Sequence, residues 1–349
     1  MRRSWYLAAV VLAACSHSTA PSGPTRGYRM GFSPLPPRND QSTVLPALEL
    51  WTQRADAGIM HVALPWAALL AGSSATALVQ QDPLNVANYY RAKGLSVVVT
   101  LDPTNGLDRS AEAPDLVTAH RSLTEPAVQL LYRQYAAAIA SLIHPDYLGL
   151  AAETNLIRAV APAPLYAAVV QASNAAAQDL TLSGSGAKRF VSIQVETAWG
   201  KLPQTAGYVG IARDRQDFPF VQAIGLSSYP YSAFVEPEDV PLDYYARIQR
   251  ESALPVLVVE GGWTSASVSS VVSSPDKQRR YVARQARLLD AADARYVFQL
   301  TFTDLDLSSF PPPQPANLSF FAFLGLVDAD LRVKPALAVW DSLFALRRR

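Results

Sequence analysis

The sequence predicts an α/β fold of the (β/α)8 barrel type. Apolar runs rich in β-branched and aromatic residues alternate eight times with helical patterns, without a break. No glycine-rich phosphate loop follows any of these runs, as it does in a dinucleotide-binding sheet. The chain has 349 residues, a length that such barrels reach as one domain when they carry insertions.

The predicted strands are short apolar runs bounded by turn residues. In chain order they are Tyr28–Pro34, Ile59–Trp66, Leu95–Pro103, Tyr147–Asn155, Phe190–Trp199, Val221–Tyr231, Pro255–Trp263 and Tyr296–Asp304. Several helices begin with a capping residue before proline, as at Asp82-Pro83 and Ser274-Pro275. Helices are predicted over Thr43–Ala55, Pro83–Lys93, Glu125–Ile143, Pro164–Leu180, Thr205–Arg215, Leu242–Ser252, Pro275–Ala291 and Pro335–Arg348. We therefore expect one barrel domain over residues 28–349.

The N-terminus has the pattern of an export signal. Two arginines precede an apolar run from Trp5 to Ala14. The run has about half of the roughly 20 residues that a membrane-spanning helix needs. It ends in Leu-Ala-Ala-Cys (12–15), which resembles a bacterial lipobox, whose cysteine carries the lipid. We predict a lipoprotein signal peptide over residues 1–14, with an ordinary secretory signal and an incidental cysteine as the alternative.

Cys15 is the only cysteine in the chain. An exported protein with one thiol forms no internal disulfide, and lipidation gives that thiol a role. Residues 15–27 are predicted to be the lipidated cysteine and a flexible tether, because serine, proline, threonine and glycine dominate after Cys15. Ser16 resembles the outer-membrane sorting signal of Gram-negative lipoproteins. The expected location is the cell envelope, with a lipid anchor in the outer membrane.

The composition excludes several classes of function. Half of the residues are hydrophobic, 17% are charged and the formal net charge is +1, so the chain is not a disordered acidic protein. It also lacks the clustered basic surface of a nucleic-acid binder. The four histidines show no metal-ligand spacing, and no serine-hydrolase elbow is present. We therefore expect no nucleic-acid partner, metal or cofactor.

Strand alternation places carboxylates at the rim of the predicted barrel. Alternate residues of a barrel strand face the interior, and active sites lie at the C-terminal ends of the strands. In the fourth run, Gly149 and Ala151 share the parity of Glu153, whereas Leu148 and Leu150 form the other set and suit the helix layer, so Glu153 is expected to face inward. Glu260 ends a predicted inward set with Val256 and Val258 in the seventh run, and Glu196 ends one in the fifth.

Short motifs at these positions resemble those of glycoside hydrolase clan A. They are Leu-Ala-Ala-Glu-Thr-Asn (150–155), Ile-Gly-Leu-Ser-Ser-Tyr-Pro-Tyr (224–231), Pro-Val-Leu-Val-Val-Glu-Gly-Gly-Trp (255–263) and the closing segment 323–337. The clan includes endo-β-1,4-galactanases, cellulases and mannanases, which are (β/α)8 barrels that retain anomeric configuration. The resemblance implies that Glu153 is the acid/base, that Glu260 is the nucleophile and that Tyr229 supports Glu260.

Glycosidic cleavage needs two carboxyl groups. One protonates the departing oxygen, while the other attacks the anomeric carbon or activates water. The sequence departs from the clan at Ala152, where an asparagine usually binds the substrate 2-hydroxyl; the nearest asparagine is Asn155. The alternatives are therefore a carbohydrate-binding barrel lipoprotein without catalytic activity and a barrel enzyme of another chemistry, and Glu196 is an alternative acid. The main hypothesis is a retaining hydrolase of a β-linked polysaccharide or oligosaccharide.

Other residues near the strand ends are candidates for substrate binding. Aromatic faces stack on sugar rings, and polar groups bind hydroxyls. Each candidate also has a structural interpretation: core packing for an aromatic residue, a buried histidine, a turn, a helix cap, or a salt bridge for a glutamate. The candidates are Trp66, Trp199, Trp263, Tyr229, Tyr231, Asn155, Asp102, Glu196, His61 and Asp304.

Overall fold

The structure is a computed structural model that describes residues 23–202, 209–312 and 314–349. Within these residues, eight parallel strands form a closed barrel in which each strand pairs with its neighbours in chain order. The eighth strand closes the barrel by pairing with the first. The predicted (β/α)8 barrel is therefore confirmed, whereas Cys15 and the predicted signal peptide lie outside the described residues.

The barrel strands are shorter than the apolar runs that predicted them. Their bounds are Arg29–Phe32, Ala57–Ala63, Ser96–Asp102, Tyr147–Gly149, Lys188–Gln194, Ala223–Ser228, Val256–Gly261 and Tyr296–Gln299. The predicted runs extended past the strand ends because the first residues of the following loops are also apolar or aromatic. Those loop segments, at the carboxyl ends of the strands, form the rim of the barrel.

Helices surround the barrel. The α-helices among the described residues are Val44–Thr52, Trp66–Leu70, Ala75–Gln81, Pro83–Ala92, Pro114–Thr118, Pro126–Ile143, Thr154–Val160, Ala163–Leu182, Val195–Ala198, Ala212–Asp217, Pro275–Ala291 and Pro335–Phe344. The helix predicted over Leu242–Ser252 is instead a short 3-10 segment, Ala246–Arg250. None of the helices in the described part of the chain has the length and apolar character that crossing a membrane requires.

The first and last strands of the described chain pair with each other at the bottom of the barrel. The predicted final helix stops at Phe344, and Arg347–Arg348 pairs in parallel with Thr25–Arg26 as a small separate sheet. Arg26 is buried and donates to Asp56 at 2.6 Å. These contacts fix both ends of the domain on the side of the barrel opposite to the carboxyl ends of the strands.

Alternate strand residues fill the barrel interior. The buried interior cluster consists of Ala57, Ile59, Val98, Tyr147, Phe190, Ala223, Leu257, Val259, Tyr296 and Phe298. Phe190 occupies space that a side chain at Gly149 would need, since a Cβ there would lie 2.7 Å from Phe190 Cζ. Tyr147 and Tyr296 pack edge to face at 5.5 Å. The interior is thus a packed core, and open space begins only above it.

The alternation predicted for the seventh strand is wrong, although its conclusion about Glu260 holds. Leu257 and Val259 belong to the interior cluster, whereas Val256 and Val258 belong to the core formed with the helices. A register shift follows, because Leu226 pairs with Val258 while the next residue, Ser227, pairs with Glu260. Val259 is therefore the extra residue of a β-bulge, and this bulge turns Glu260 toward the barrel mouth.

Candidate active site

A cavity of about 320 Å³ opens above the barrel core, at the carboxyl ends of the strands. Glu153 follows the fourth strand and Glu260 lies in the seventh, and both side chains line this cavity. His61 from the second strand and Asp102 from the third also line it, as does Arg109 from the loop after the third strand. The fold therefore brings together four polar residues that the sequence singled out, and adds an arginine.

The backbone N–H of Glu153 and both of its carboxylate oxygens form hydrogen bonds. Its backbone has φ 48° and ψ 46°, a left-handed conformation that is unfavourable for a residue with a side chain and is found at functional sites. Its N–H donates to Ser192 Oγ at 2.9 Å. Its carboxylate accepts from Ser227 Oγ at 2.7 Å and from Arg109 Nε at 2.9 Å. These bonds fix the direction of the carboxylate.

Arg109 links two carboxylates. Its side chain is 7% exposed, and its Nη1 donates to Asp102 Oδ2 at 2.5 Å, on the side away from Glu153. Burial opposes the charge of this guanidinium, but the charges of Asp102 and Glu153 raise the pKa of Arg109 overall. Arg109 therefore stays positive, and it neutralises part of the negative charge of the site.

Glu260 has fewer partners. The hydroxyl of Tyr229 donates to its carboxylate Oε1, and His61 Nδ1 lies 3.8 Å from Oε2. Burial raises the pKa of Glu260 to about 7, and the charge of Glu153 contributes in the same direction. Burial lowers the pKa of His61 to about 4, so the imidazole is neutral at neutral pH and does not compensate the charge of Glu260.

Two polar atoms of the site have no hydrogen-bond partner among the described residues. They are Thr100 Oγ1 and His61 Nε2, both of which are buried. Thr100 and His61 line the cavity together with the two glutamates. Because buried polar atoms in proteins are nearly always paired, these two atoms are candidates to bind a polar group of a ligand, but both are closed off from the open space of the cavity until a neighbouring side chain moves.

Glu196 does not line this cavity. The strand ends at Gln194 and a helical turn, Val195–Ala198, follows, which takes the side chain out of the predicted alternation. Glu196 is fully buried and accepts from Ser228 Oγ and from the Tyr229 N–H, both at 3.0 Å. Burial raises its pKa to about 7. Its carboxylate is enclosed by Ser228 and Tyr229, so the expectation that Glu196 faces the barrel mouth is wrong.

The predicted aromatic platform is not found at the cavity. Trp66, Trp199 and Trp263 are each at most 4% exposed, and none of them lines the cavity. Trp199 Nε1 donates to the Tyr244 carbonyl at 2.9 Å, and the Tyr231 hydroxyl to the Phe320 carbonyl at 2.9 Å. Of the predicted aromatic residues, only Tyr229 reaches a carboxylate of the site. The others pack in the core, which is the alternative that the sequence left open for each aromatic residue.

Asn155 and Asp304 also have structural partners. Asn155 is 2% exposed, and its amide exchanges two hydrogen bonds of 2.8 Å with the backbone of Gln194. Asp304 forms a buried ion pair with Lys334 at 2.6 Å and accepts from the Gly325 N–H. Neither residue lines the cavity. Asn155 therefore does not supply the amide that Ala152 lacks, although Ala152 itself does line the cavity.

Sequence reasoning assigned no role to Arg109, Ser227 or Thr100. Arg109 lies in an irregular loop, where neither strand alternation nor helical spacing marks a residue. Ser227 shares the inward parity of Tyr229, and Thr100 that of Asp102, so alternation carried a signal for both. No group of three potential ligand residues that could hold a metal ion occurs within residues 23–202, 209–312 and 314–349.

Several solved structures share this barrel architecture, although the sequence itself has no match among known families. No family model and no curated protein matches the sequence. An exo-β-1,4-mannosidase from Opitutaceae bacterium strain TAV5 is similar in structure, with a TM-score of 0.67 and 16% identity over 92% of this chain. A family 39 glycoside hydrolase from Bacteroides cellulosilyticus WH2 has a TM-score of 0.64 and 14% identity over 92%. A β-glucosidase from Exiguobacterium marinum has a TM-score of 0.61 and 10% identity over 86%.

The matched regions differ in extent between these proteins. The alignment spans 59% of the mannosidase and 64% of the family 39 protein, but 85% of the β-glucosidase. At such low identities the similarity establishes the fold. The chain is thus a (β/α)8 barrel of the kind found in these glycoside hydrolases.

Proposed function

We propose that this protein is a retaining β-glycosidase in which Glu153 and Glu260 form the catalytic pair. The observation that carries the proposal is that two carboxylates, one after the fourth strand and one in the seventh, line one cavity at the carboxyl end of the barrel. The charge of Glu153 contributes to the raised pKa of Glu260, which supports close approach of the two groups. The fold shared with glycoside hydrolases adds independent support.

In the proposed first step, Glu260 attacks the anomeric carbon of the sugar, and the bond between that carbon and the leaving oxygen breaks. Glu153 donates a proton to that oxygen, and an α-linked glycosyl-enzyme forms. In the second step Glu153 takes a proton from water, which displaces Glu260 and restores the β configuration. Tyr229 orients Glu260 through its hydroxyl. A carboxyl separation of about 5–5.5 Å is the distance that this double displacement requires.

The proton of the pair must change place during the reaction. In the free site, Arg109 donates a hydrogen bond to the carboxylate of Glu153, and burial favours the protonated form of Glu260. The assigned roles need a protonated Glu153 and an ionised Glu260. Both arrangements hold one proton for two interacting carboxyls, which titrate as a pair. The approach of the leaving oxygen to Glu153 favours the transfer, because that oxygen accepts the proton.

Hydrolysis of 4-nitrophenyl β-glycosides tests the proposal. A panel of glucoside, galactoside and mannoside covers the sugar classes named for the similar structures and for galactanases. The wild-type protein is expected to release 4-nitrophenol from at least one member with retention of configuration, followed by NMR. The Glu260→Gln variant is the control, and an equal rate in this variant would exclude Glu260 as the nucleophile.

Ala152 favours one second candidate, a carbohydrate-binding barrel that does not hydrolyse its ligand. An asparagine at this position binds the substrate 2-hydroxyl in the clan that the sequence resembles, and Asn155 does not replace it because its amide bonds Gln194. This candidate predicts that sugars bind with unchanged affinity to wild type and to Glu260→Gln in calorimetry. It also predicts no product from any member of the panel.

We further propose that the protein is located in the cell envelope and is anchored there by a lipid at Cys15. The support is the sequence of residues 1–16, which resembles a lipoprotein signal and sorting site. Mass spectrometry of the membrane-extracted protein is expected to show a diacylglyceryl-modified peptide that begins at Cys15. An unmodified Cys15 within a longer chain contradicts the anchor but leaves the proposed hydrolase activity untouched.

A further inference from the structure

The cavity that holds Glu153 and Glu260 has two chemically different sides. Its polar residues are His61, Thr100, Asp102 and Glu260 in the strands, Glu153 shortly after the fourth strand, and Arg109 in the loop after the third. Its other side is made by half-buried or exposed apolar side chains from the loops after the first, third and eighth strands. These apolar residues are Leu35, Pro36, Leu107, Leu300, Leu305, Phe310, Leu318 and Phe321.

The polar side suits one sugar ring. Asp102, Arg109, Glu153 and Glu260 line it, and their carboxylate and guanidinium groups are of the kind that bind sugar hydroxyls. The volume of about 320 Å³ is at the lower end of the roughly 300–1,000 Å³ of ligand pockets. A single sugar unit with a compact leaving group fits this volume better than a polysaccharide chain does.

The apolar side suits a leaving group without hydroxyls. A second sugar in this position would place its hydroxyls against carbon atoms, and each buried hydroxyl would lose a hydrogen bond to water without replacement. Sugar rings also stack preferentially on broad aromatic faces, whereas five of the eight apolar residues here are leucines. An alkyl or aryl group gains from burial in the same place.

Space for a longer apolar group adjoins the cavity. A second cavity of about 810 Å³ shares Leu35 and His61 with the first. Its lining is also largely apolar and includes Leu48, Met60 and Val86. Leu35 lies at the junction of the two cavities and is 40% exposed. A flexible chain that leaves the first cavity past Leu35 would therefore remain in apolar surroundings.

We propose that the substrate is a β-glycoside of a single sugar whose leaving group is apolar, an alkyl or aryl alcohol, and that Leu35 and Leu318 bind this group. The inference rests on the proposed glycosidase function and specifies its substrate. The sugar occupies the polar side of the cavity, and the apolar group lies against the leucines. Hydrolysis transfers the proton of Glu153 to the oxygen of the alcohol, and water supplies the hydroxyl of the released sugar.

A series of alkyl glycosides tests the proposal. Methyl, butyl, hexyl and octyl β-glycosides of the sugar identified with the 4-nitrophenyl panel are compared below their micelle concentrations, together with a disaccharide of that sugar. Because these primary alcohols have similar acidities, chain length changes mainly the buried area. We expect kcat/KM to rise about fourfold for each methylene that becomes buried and to be lowest for the methyl glycoside and the disaccharide.

Variants locate the effect. Leu35→Asn changes an exposed loop residue, so the fold should tolerate it, and Leu318→Asn changes the opposite side of the apolar wall. Both are expected to flatten the dependence on chain length, because kcat/KM for the octyl glycoside falls toward the value for the methyl glycoside. Leu182→Asn is the control, since Leu182 is 79% exposed and lines neither cavity. It should leave the whole series unchanged.

The outcomes separate this proposal from the function on which it rests. A rise with chain length that both wall variants flatten supports an apolar leaving group. Equal rates for methyl and octyl glycosides, or faster cleavage of the disaccharide, overturn it while the glycosidase function stands. Absence of product from every 4-nitrophenyl glycoside overturns the glycosidase function, and the substrate inference falls with it.

Discussion

Arg109 and Glu153 form a buried ion pair, with the guanidinium Nε 2.9 Å from the carboxylate Oε2. The same guanidinium bonds Asp102 at 2.5 Å, so one positive charge serves two carboxylates. Glu260 lies in the same cavity without a cation of its own, because His61 is neutral. The site therefore has more negative than positive groups, and its charge balance depends on Arg109.

The first prediction concerns stability. Arg109→Met removes the cation and leaves Asp102 and Glu153 as buried, uncompensated carboxylates, which should cost about 3–5 kcal/mol of unfolding free energy at neutral pH. Urea denaturation measures this loss. The control is Arg213→Met, whose arginine is 60% exposed in its ion pair with Asp217 and should matter much less. Similar losses of unfolding free energy in the two variants would show that the buried ion pair contributes no more to stability than the exposed one.

The second prediction separates the roles of the two glutamates. Glu260→Ala should lose turnover of all substrates, because nothing replaces the nucleophile. Glu153→Ala should lose about 10²–10⁴-fold on poor leaving groups but keep the first step with a 2,4-dinitrophenyl glycoside, which leaves without a proton. Azide should partly restore its turnover and form a β-glycosyl azide, identified by NMR. An α-azide, or rescue of Glu196→Ala instead, contradicts the assignment.

The third prediction concerns pH. With a 2,4-dinitrophenyl glycoside, kcat/KM requires an ionised Glu260, whose pKa is raised to about 7 by burial and by the charge of Glu153. The rate should therefore rise with pH and reach half of its plateau near pH 7. Glu153→Gln removes the neighbouring charge, so the pKa of Glu260 falls and the midpoint should move to lower pH. A midpoint that stays in place would mean that the two groups do not interact.

The fourth prediction concerns Thr100. Thr100 lines the cavity, and its buried hydroxyl has no partner among the described residues, so Thr100→Val removes no hydrogen bond within the described protein. Stability to urea should be nearly unchanged, whereas KM should rise about tenfold, the effect of one lost hydrogen bond of roughly 1.4 kcal/mol. An unchanged KM together with reduced stability would indicate a purely structural role.

Much of the fold and part of the site follow from local sequence patterns. Strand alternation predicted the direction of Glu153 correctly, because Gly149 lies against Phe190 in the crowded barrel interior and Glu153 lines the cavity above it. It failed for Glu196, since the fifth strand ends two residues before that glutamate and the chain turns into a helix. Arg109 comes from an irregular loop, and its partners lie at other points of the chain, so only the folded structure brings them together.

The aromatic residues illustrate a different limit. Trp66 and Trp263 stand near strand ends in the sequence, where either a sugar platform or the core explains a large aromatic side chain. Burial decides between the two, and both residues are 1% exposed. Because a helix layer surrounds the barrel, a residue at a strand end has two buried directions open to it. The position of a tryptophan along a strand does not distinguish them.

The β-bulge at Val259 also has a consequence for protein design. A carboxylate copied with its neighbours Val258 and Val259 into a regular strand would point toward the helices, because in an unbulged strand Glu260 has the parity of Val258. The sixth strand would need to be transplanted as well, since Ser227 provides the offset register against which the extra residue is accommodated. The portable unit for grafting this half of the site is therefore a pair of strands with one inserted residue.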